Sequence, residues 1–191
     1  MALQDGLLAW MSYHVTSFLM TGQEPTRMGA SHASVAPYGA YPTADGYLVL
    51  AVGTDALWRD LCAALGLEVD ASDPRFARNA DRCLHRAALD ALISERLAER
   101  TAEAWALDLG GRGVPCSPVR SLAEVLAEET VRSRGLIQPS RRADGTTIPA
   151  PAIPARLSRT PGSIRRPPPL LGEHTLEIID ELADQPPGET S

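Results

Sequence analysis

The stretch PYGAYPTADGYLVLAVGTDALW, residues 37–58, constrains this chain more than any other. Asp45-Gly46 is a strong turn pair. The run 47–52 is continuously apolar and reads as a buried strand. Gly53, Thr54 and Asp55 then lead into a helical pattern in which Leu57, Trp58, Leu61, Cys62 and Leu65 share a face. Either Thr54 or Asp55 can cap that helix, and Gly66 ends it. A turn, a strand and a capped helix in this order place the Gly-Thr-Asp step at a strand end, where open α/β architectures hold ligands. Asp55 thus has two readings, a helix cap with no further role or a residue of a binding site.

Upstream, residues 2–21 read as one helix, with Leu3, Leu7, Met11, Val15 and Phe18 at helical spacing and Leu8 and Leu19 widening the stripe. Gly22 stops it, and Pro25 prevents continuation. The connection 29–37, GASHASVAP, is rich in small residues, which let a backbone approach a ligand closely. An ordinary surface connection is the default reading for such a loop. Downstream, helices are expected over 85–100 and from Thr101 to Gly110-Gly111. The prolines of GVPCSPV keep 113–119 extended. Ser121 and Glu124 form a capping box for a helix over 122–133. Asp144-Gly145 marks a hairpin with strands near 136–141 and 146–150. Seven prolines between Pro149 and Pro169 exclude a packed helix or central strand there. An ordered crossing segment is expected, then a helix over 173–182 and a loose tail over 183–191.

With 191 residues and 44% hydrophobic content, the chain can bury a core. Its net charge of −6 argues against a nucleic-acid surface. All 18 basic residues are arginine, which rules out Schiff-base and other lysine chemistry within the chain. Cys62, Cys83 and Cys116 are too few and too scattered for a disulfide framework or zinc site, so no metal and a cytoplasmic setting are expected. Cys116 reads as a buried structural thiol. Gln4 and Asp5 break the first apolar run, which argues against a signal peptide. No apolar run reaches the roughly 20 residues of a membrane span, so no membrane partner is expected. Hydrolase elbows, Walker loops and dinucleotide fingerprints are lacking.

Taken together, APYGAYPTADGYLVLAVGTDALWRDLCAALG, DPRFARNADRCLHRAALDALI, GVPCSPVRSLAEVL and PPPLLGEHTLEIIDEL resemble the family III CoA-transferases of CaiB/BaiF type. That group includes formyl-CoA transferase and the α-methylacyl-CoA racemases. The resemblance runs from about Leu3 to Leu182 but accounts for the C-terminal half of such proteins, which are about twice as long. It implies an α/β fragment of mixed α+β character: a small α/β domain flanked by helices that belong to a large Rossmann-like domain. Residues 1–36 would be a helix and connection from the large domain, 37–134 the small domain, and 135–191 the strands, crossing segment and helix that return.

The resemblance also implies a division of labour. Members of the family carry the acyl group on a catalytic Asp as a mixed anhydride and then as an Asp–CoA thioester. That Asp and most residues that grip the CoA nucleotide lie upstream of a helix like 2–21, so no catalytic residue is expected within this chain. What it would supply is the opposite wall of the site. The loop 29–37, with Gly29 and with His32 in a G-x-x-H match, resembles the family's mobile loop over the acyl group; Ala33 replaces the usual proline. Gly53, Thr54 and Asp55 resemble a Gly-Asn-Asp turn of the transferases. Racemases carry a glutamate one residue later, and its lack here favours a transferase. The expected ligands are a CoA thioester, as substrate rather than resident cofactor, and a carboxylic acid. The expected assembly is a homodimer or an association with an N-terminal half. A non-catalytic interaction module and a racemase component are the alternatives.

Overall fold

The Asp45-Gly46 turn joins two strands rather than merely leading into one. In the computed structural model, which describes residues 2–67 and 73–184, β1 (Tyr38–Pro42) pairs antiparallel with β2 (Tyr47–Ala51), Ala40 opposite Val49 and Pro42 opposite Tyr47. β3 (Cys116–Pro118) joins the other edge of β2, giving a sheet of order β1-β2-β3. The segment expected only to be extended is therefore an edge strand, the position where prolines cost no ladder bond. The expectation of a fully buried strand over 47–52 is corrected. Leu48 and Leu50 are buried, whereas Tyr47 is exposed and Val49 and Ala51 are half-buried. Helices cover one face of the sheet only, so alternate residues stay near solvent.

Those helices are α3 (Asp55–Leu65), α4 (Asn79–Leu84), α5 (Arg86–Leu97) and α6 (Ala102–Gly111). Their inward faces bring Trp58, Leu61, Cys62, Leu65, Leu89, Ile93, Leu97, Trp105 and Leu109 together with Leu48 and Leu50 in one core. Each such large side chain, fully buried, stabilises the fold by about 1.5–3 kcal/mol. Trp105 also satisfies its indole N–H on the Leu97 carbonyl at 2.9 Å. α4 is an addition to the expected elements; at six residues it is too short to display a helical period.

The hairpin turn is stitched to α6. Thr43 N–H donates to the Gly46 carbonyl at 2.9 Å, and Ala44 N–H to the Arg100 carbonyl at 3.0 Å. The Asp45 carboxylate accepts from the Ala102 N–H at 2.8 Å, beside the Thr101 cap of the same helix. On α6, Asp108 accepts from Arg112 Nε and Arg100 Nη1, both at 2.9 Å.

At the N-terminus the expected single helix is two, α1 (Leu3–Trp10) and α2 (Ser12–Thr21), broken at Met11 where ψ is 13°. Helical bonds still cross the break, Met11 N–H to Leu7 O at 3.1 Å and Val15 N–H to Met11 O at 2.9 Å. Gly22 ends α2 in the left-handed region. No residue of either helix is buried, and Leu3 and Trp10 are 88% and 90% exposed.

Contacts divide the chain into two units, Met1–Val119 and Arg120–Ser191. In the second, the helix expected over 122–133 is α7 (Leu122–Ala127) and α8 (Glu129–Ser133), separated by Glu128 in an extended conformation. The Ser121–Glu124 capping box is present. β4 (Ile137–Arg141) and β5 (Thr147–Pro151) form the expected hairpin. The proline-rich segment beyond is irregular and leads to α9 (Thr175–Ala183), where Glu177 pairs with Arg166. The expected loose tail lies, beyond Asp184, outside the described residues.

Two outcomes are expected. Asp45→Ala leaves the Ala102 N–H at the start of α6 without its acceptor and should lower unfolding free energy by about 1 kcal/mol, read from urea titration. The guanidiniums of Arg112 and then Arg100 hold the Asp108 carboxyl below the usual carboxylate range. Its folded-state pKa being the lower, its contribution is present above that range and lost as pH falls through it. Asp108→Asn should accordingly flatten the acid limb of a stability–pH curve; an unchanged limb would contradict this origin.

Candidate functional site

β1 and β2 bring the two candidate stretches to one end of the sheet. Tyr38 lies opposite Ala51, and Val52 N–H donates to the Pro37 carbonyl at 3.0 Å. The loop 29–37 therefore ends beside the strand from which Gly53, Thr54 and Asp55 emerge.

The ambiguity over the cap resolves by geometry. Thr54, with φ −133° and ψ 158°, accepts the Leu57 N–H on its hydroxyl at 3.2 Å. Asp55 is the first helical residue, and its carboxylate accepts from Arg82 Nη2 at 2.8 Å. The Asp55 side chain is 46% exposed, whereas that of Arg82 is fully buried. A carboxylate here also suits the positive end of α3. Gly53 is exposed, and a Cβ on it would meet nothing within 4 Å.

Arg82 does more than pair with Asp55. Its Nε donates to the Ala36 carbonyl at 2.6 Å, and its Nη1 donates to the carbonyls of Phe76 at 2.9 Å and Ala77 at 3.4 Å. The guanidinium also lies 5.5 Å from the centre of the Trp58 ring. One buried cation thus holds the site loop, the 76–77 turn and the start of α3.

Two neighbours of Arg82 hold the loop further. Asn79 Oδ1 accepts the Ala36 N–H at 3.0 Å, and its Nδ2 donates to the Ser34 carbonyl at 2.8 Å. Arg86 Nη2 donates to the carbonyls of His32 at 2.9 Å and Val35 at 3.2 Å. The 36–37 peptide is cis.

His32 is organised from within the loop. Its Nδ1 accepts the Ser34 N–H at 3.1 Å, and its ring stacks on Tyr38 with centroids 5.2 Å apart. In the neutral imidazole that assigns the proton to Nε2 and leaves it as a donor. Gly29 sits at φ +58°, a left-handed turn residue followed by the bond from Ser31 N–H to Met28 O at 3.0 Å. Gly39 serves closeness instead: a Cβ there would lie 3.2 Å from Ser31 Oγ and 3.3 Å from its Cα.

The sequence reading missed Asn79, Arg82 and Arg86. Their spacing of three and four residues was the available signal, since it puts long polar side chains on one side of a helical segment. Cys116 lies apart, its thiol against the Ala106 carbonyl at 3.8 Å and pushed up in pKa by burial. Among the described residues no group of three or more His, Cys, Asp or Glu could hold a metal ion, and no helix is long and apolar enough to cross a membrane.

Comparison with known proteins places this arrangement. The family model of CoA-transferase family III matches residues 1–175, and the chain belongs to that family. It is 36% identical, over 95% of its length, to a succinate–glutarate CoA-transferase of Agrobacterium fabrum, and 32% identical, over 94%, to the human succinyl-CoA:glutarate CoA-transferase. The crystal structure of a CaiB/BaiF family protein from Brucella suis superposes on 95% of the chain with a TM-score of 0.74 at 33% identity. The mixed α/β architecture is thus that of the family. The chain spans 46% and 41% of the two relatives and 47% of the Brucella protein.

Substitutions separate the two partners of the central ion pair. Asp55→Asn keeps a hydrogen-bond acceptor at a half-exposed position and should cost about 1–3 kcal/mol. Arg82→Met leaves the Ala36, Phe76 and Ala77 carbonyls and the Asp55 carboxylate without their donor and should cost about 3–5 kcal/mol. Denaturant unfolding of both variants checks the order; equal or reversed costs would show that Arg82 is not the hub.

Proposed function

We propose that this chain supplies the acyl-side wall of a family III CoA-transferase that moves CoA between a thioester and a carboxylic acid. The observation that carries the reading is the family match, which runs through the clamped loop and the Gly-Thr-Asp turn. The names of the Agrobacterium and human relatives point to dicarboxylic acids, so a succinyl-type donor and a glutarate-type acceptor are the substrates to test. CoA enters as substrate and leaves as product.

The chemistry runs through a carboxylate nucleophile, an Asp in the part of the relatives that this chain does not span. Its oxygen attacks the thioester carbonyl, forming a mixed anhydride and expelling CoA thiolate. The thiolate attacks the Asp carbonyl of that anhydride, giving an Asp–CoA thioester and the free donor acid. The acceptor carboxylate attacks the new thioester and releases the thiolate again, which returns to the acceptor's acyl carbon and frees the Asp. Anhydrides hydrolyse readily, so the reaction needs a dry, fixed wall. Gly29, His32, Gly53, Thr54 and Asp55 are proposed to provide it. Small residues admit the acyl group, His32 Nε2–H offers a donor, and Asp55 stays engaged with Arg82.

The bare faces of α1 and α2 favour a second reading, a module that binds a partner without catalysis. An assay with succinyl-CoA and isotopically labelled glutarate, read by mass spectrometry with hydroxylamine as trap, separates the two. The chain alone is expected to be inactive. Adding a polypeptide that supplies the unspanned portion of a relative should restore transfer. A stable, inactive complex would favour the interaction module. Robust transfer by the 191-residue chain alone would overturn the assignment of the nucleophile and direct attention to Asp5, Asp55 and Cys116.

A further inference from the structure

We infer that Asn79, Arg82 and Arg86 are positioning residues that make the loop 32–36 and Asp55 one fixed wall, so that any closing motion of the connection is confined to the residues before Ser31. The inference rests on the transferase reading only for what the wall is used for. The clamp itself stands on bond geometry.

Six backbone polar groups on four of the residues 32–36 are bound from outside the loop or folded back within it. Arg86 takes the His32 and Val35 carbonyls, and Asn79 takes the Ser34 carbonyl and the Ala36 N–H. Arg82 takes the Ala36 carbonyl, and the Ser34 N–H closes on His32. A loop-closing backbone bond from His32 N–H to the Tyr38 carbonyl at 2.9 Å adds to these. Arg82 then extends the same clamp to Asp55, across 27 residues of chain. Swinging the loop as a whole would break bonds to three side chains at once, and one of the donors is a buried cation whose other acceptors are fixed. The residues between Gly22 and Ser31 carry no such ties from α4 or α5 among the described residues, and Gly29 at φ +58° sits at the boundary.

The consequence for catalysis is specific. A wall that fixes the acyl group without gripping CoA should act on turnover rather than on thioester affinity. Asn79, Arg82 and Arg86 are not expected to touch substrate. Their donors are directed at backbone carbonyls and at Asp55.

Hydrogen–deuterium exchange on the full chain tests the clamp without any assay of transfer. The amides of His32, Ser34 and Ala36 are expected to exchange at least about tenfold more slowly than those of 23–30, as hydrogen-bonded amides do. Asn79→Ala and Arg86→Gln are expected to raise exchange across 31–37 by about tenfold while leaving β2 and α6 protected. These two are used because Arg82 variants risk global unfolding. Arg86→Lys, which keeps the charge and one donor centre, should restore part of the protection. In the complemented enzyme, the same two variants should lower kcat by about tenfold with little change in the thioester KM. Wild-type exchange over 31–37 as fast as over 23–30, unchanged exchange in both variants, or parallel loss of kcat and thermal stability would overturn the inference. Slow exchange with no transfer by the wild-type complex would count against the transferase reading and leave the clamp standing.

Discussion

A buried guanidinium must satisfy its donors or cost several kcal/mol, and Arg82 meets that demand with partners drawn from three separate parts of the chain. This requirement organises the site end of the fold. The carbonyls of Ala36, Phe76 and Ala77 must turn inward, the start of α3 must present Asp55, and Trp58 must lay its ring alongside. The apolar core of Leu48, Leu50, Leu61, Leu89 and Ile93 supplies the bulk of the stability. Hydrophobic packing is non-directional, however, and would accept several arrangements of the loops above it. The directional bonds of Arg82, Asn79 and Arg86 select one.

Much of the core scaffold was legible because its signals are local. Asp45-Gly46 announces a turn, the 47–52 run a strand, and Thr54 with Gly66 the ends of a helix. Ser121 and Glu124 announce their capping box three residues apart. What escaped the sequence reading depends on distant partners. β1 has only Tyr38, Ala40 and Tyr41 between Gly39 and two prolines, and it becomes a strand by pairing with β2. α4 has six residues and is held by what Arg82 and Asn79 reach. The exposure of Tyr47 follows from which sheet face the helices cover, a property of the assembled layers.

The site divides in the same way. That 29–37 and 53–55 are candidate site stretches was readable only through resemblance, since small residues in a loop and an Asp after a strand each have an ordinary explanation. That the two stretches meet follows from the antiparallel pairing of β1 with β2. That they are joined by one side chain was unreadable, because Arg82 lies 46 residues from Ala36 and 27 from Asp55. The family match covers both stretches and the clamp together.

The all-arginine composition of the basic residues gives the clamp its geometry. A guanidinium presents five N–H donors in a rigid planar fork, whereas an ammonium is a compact point charge. Arg82 can therefore meet carbonyls from two stretches of chain and the Asp55 carboxylate at once, and Arg86 two carbonyls from a single nitrogen. Among the described residues, Asp55 is the side-chain acceptor of Arg82, and the arginine's other acceptors are backbone oxygens. A lysine in place of Arg82 would keep the charge and lose the fork that sets the shape of the loop.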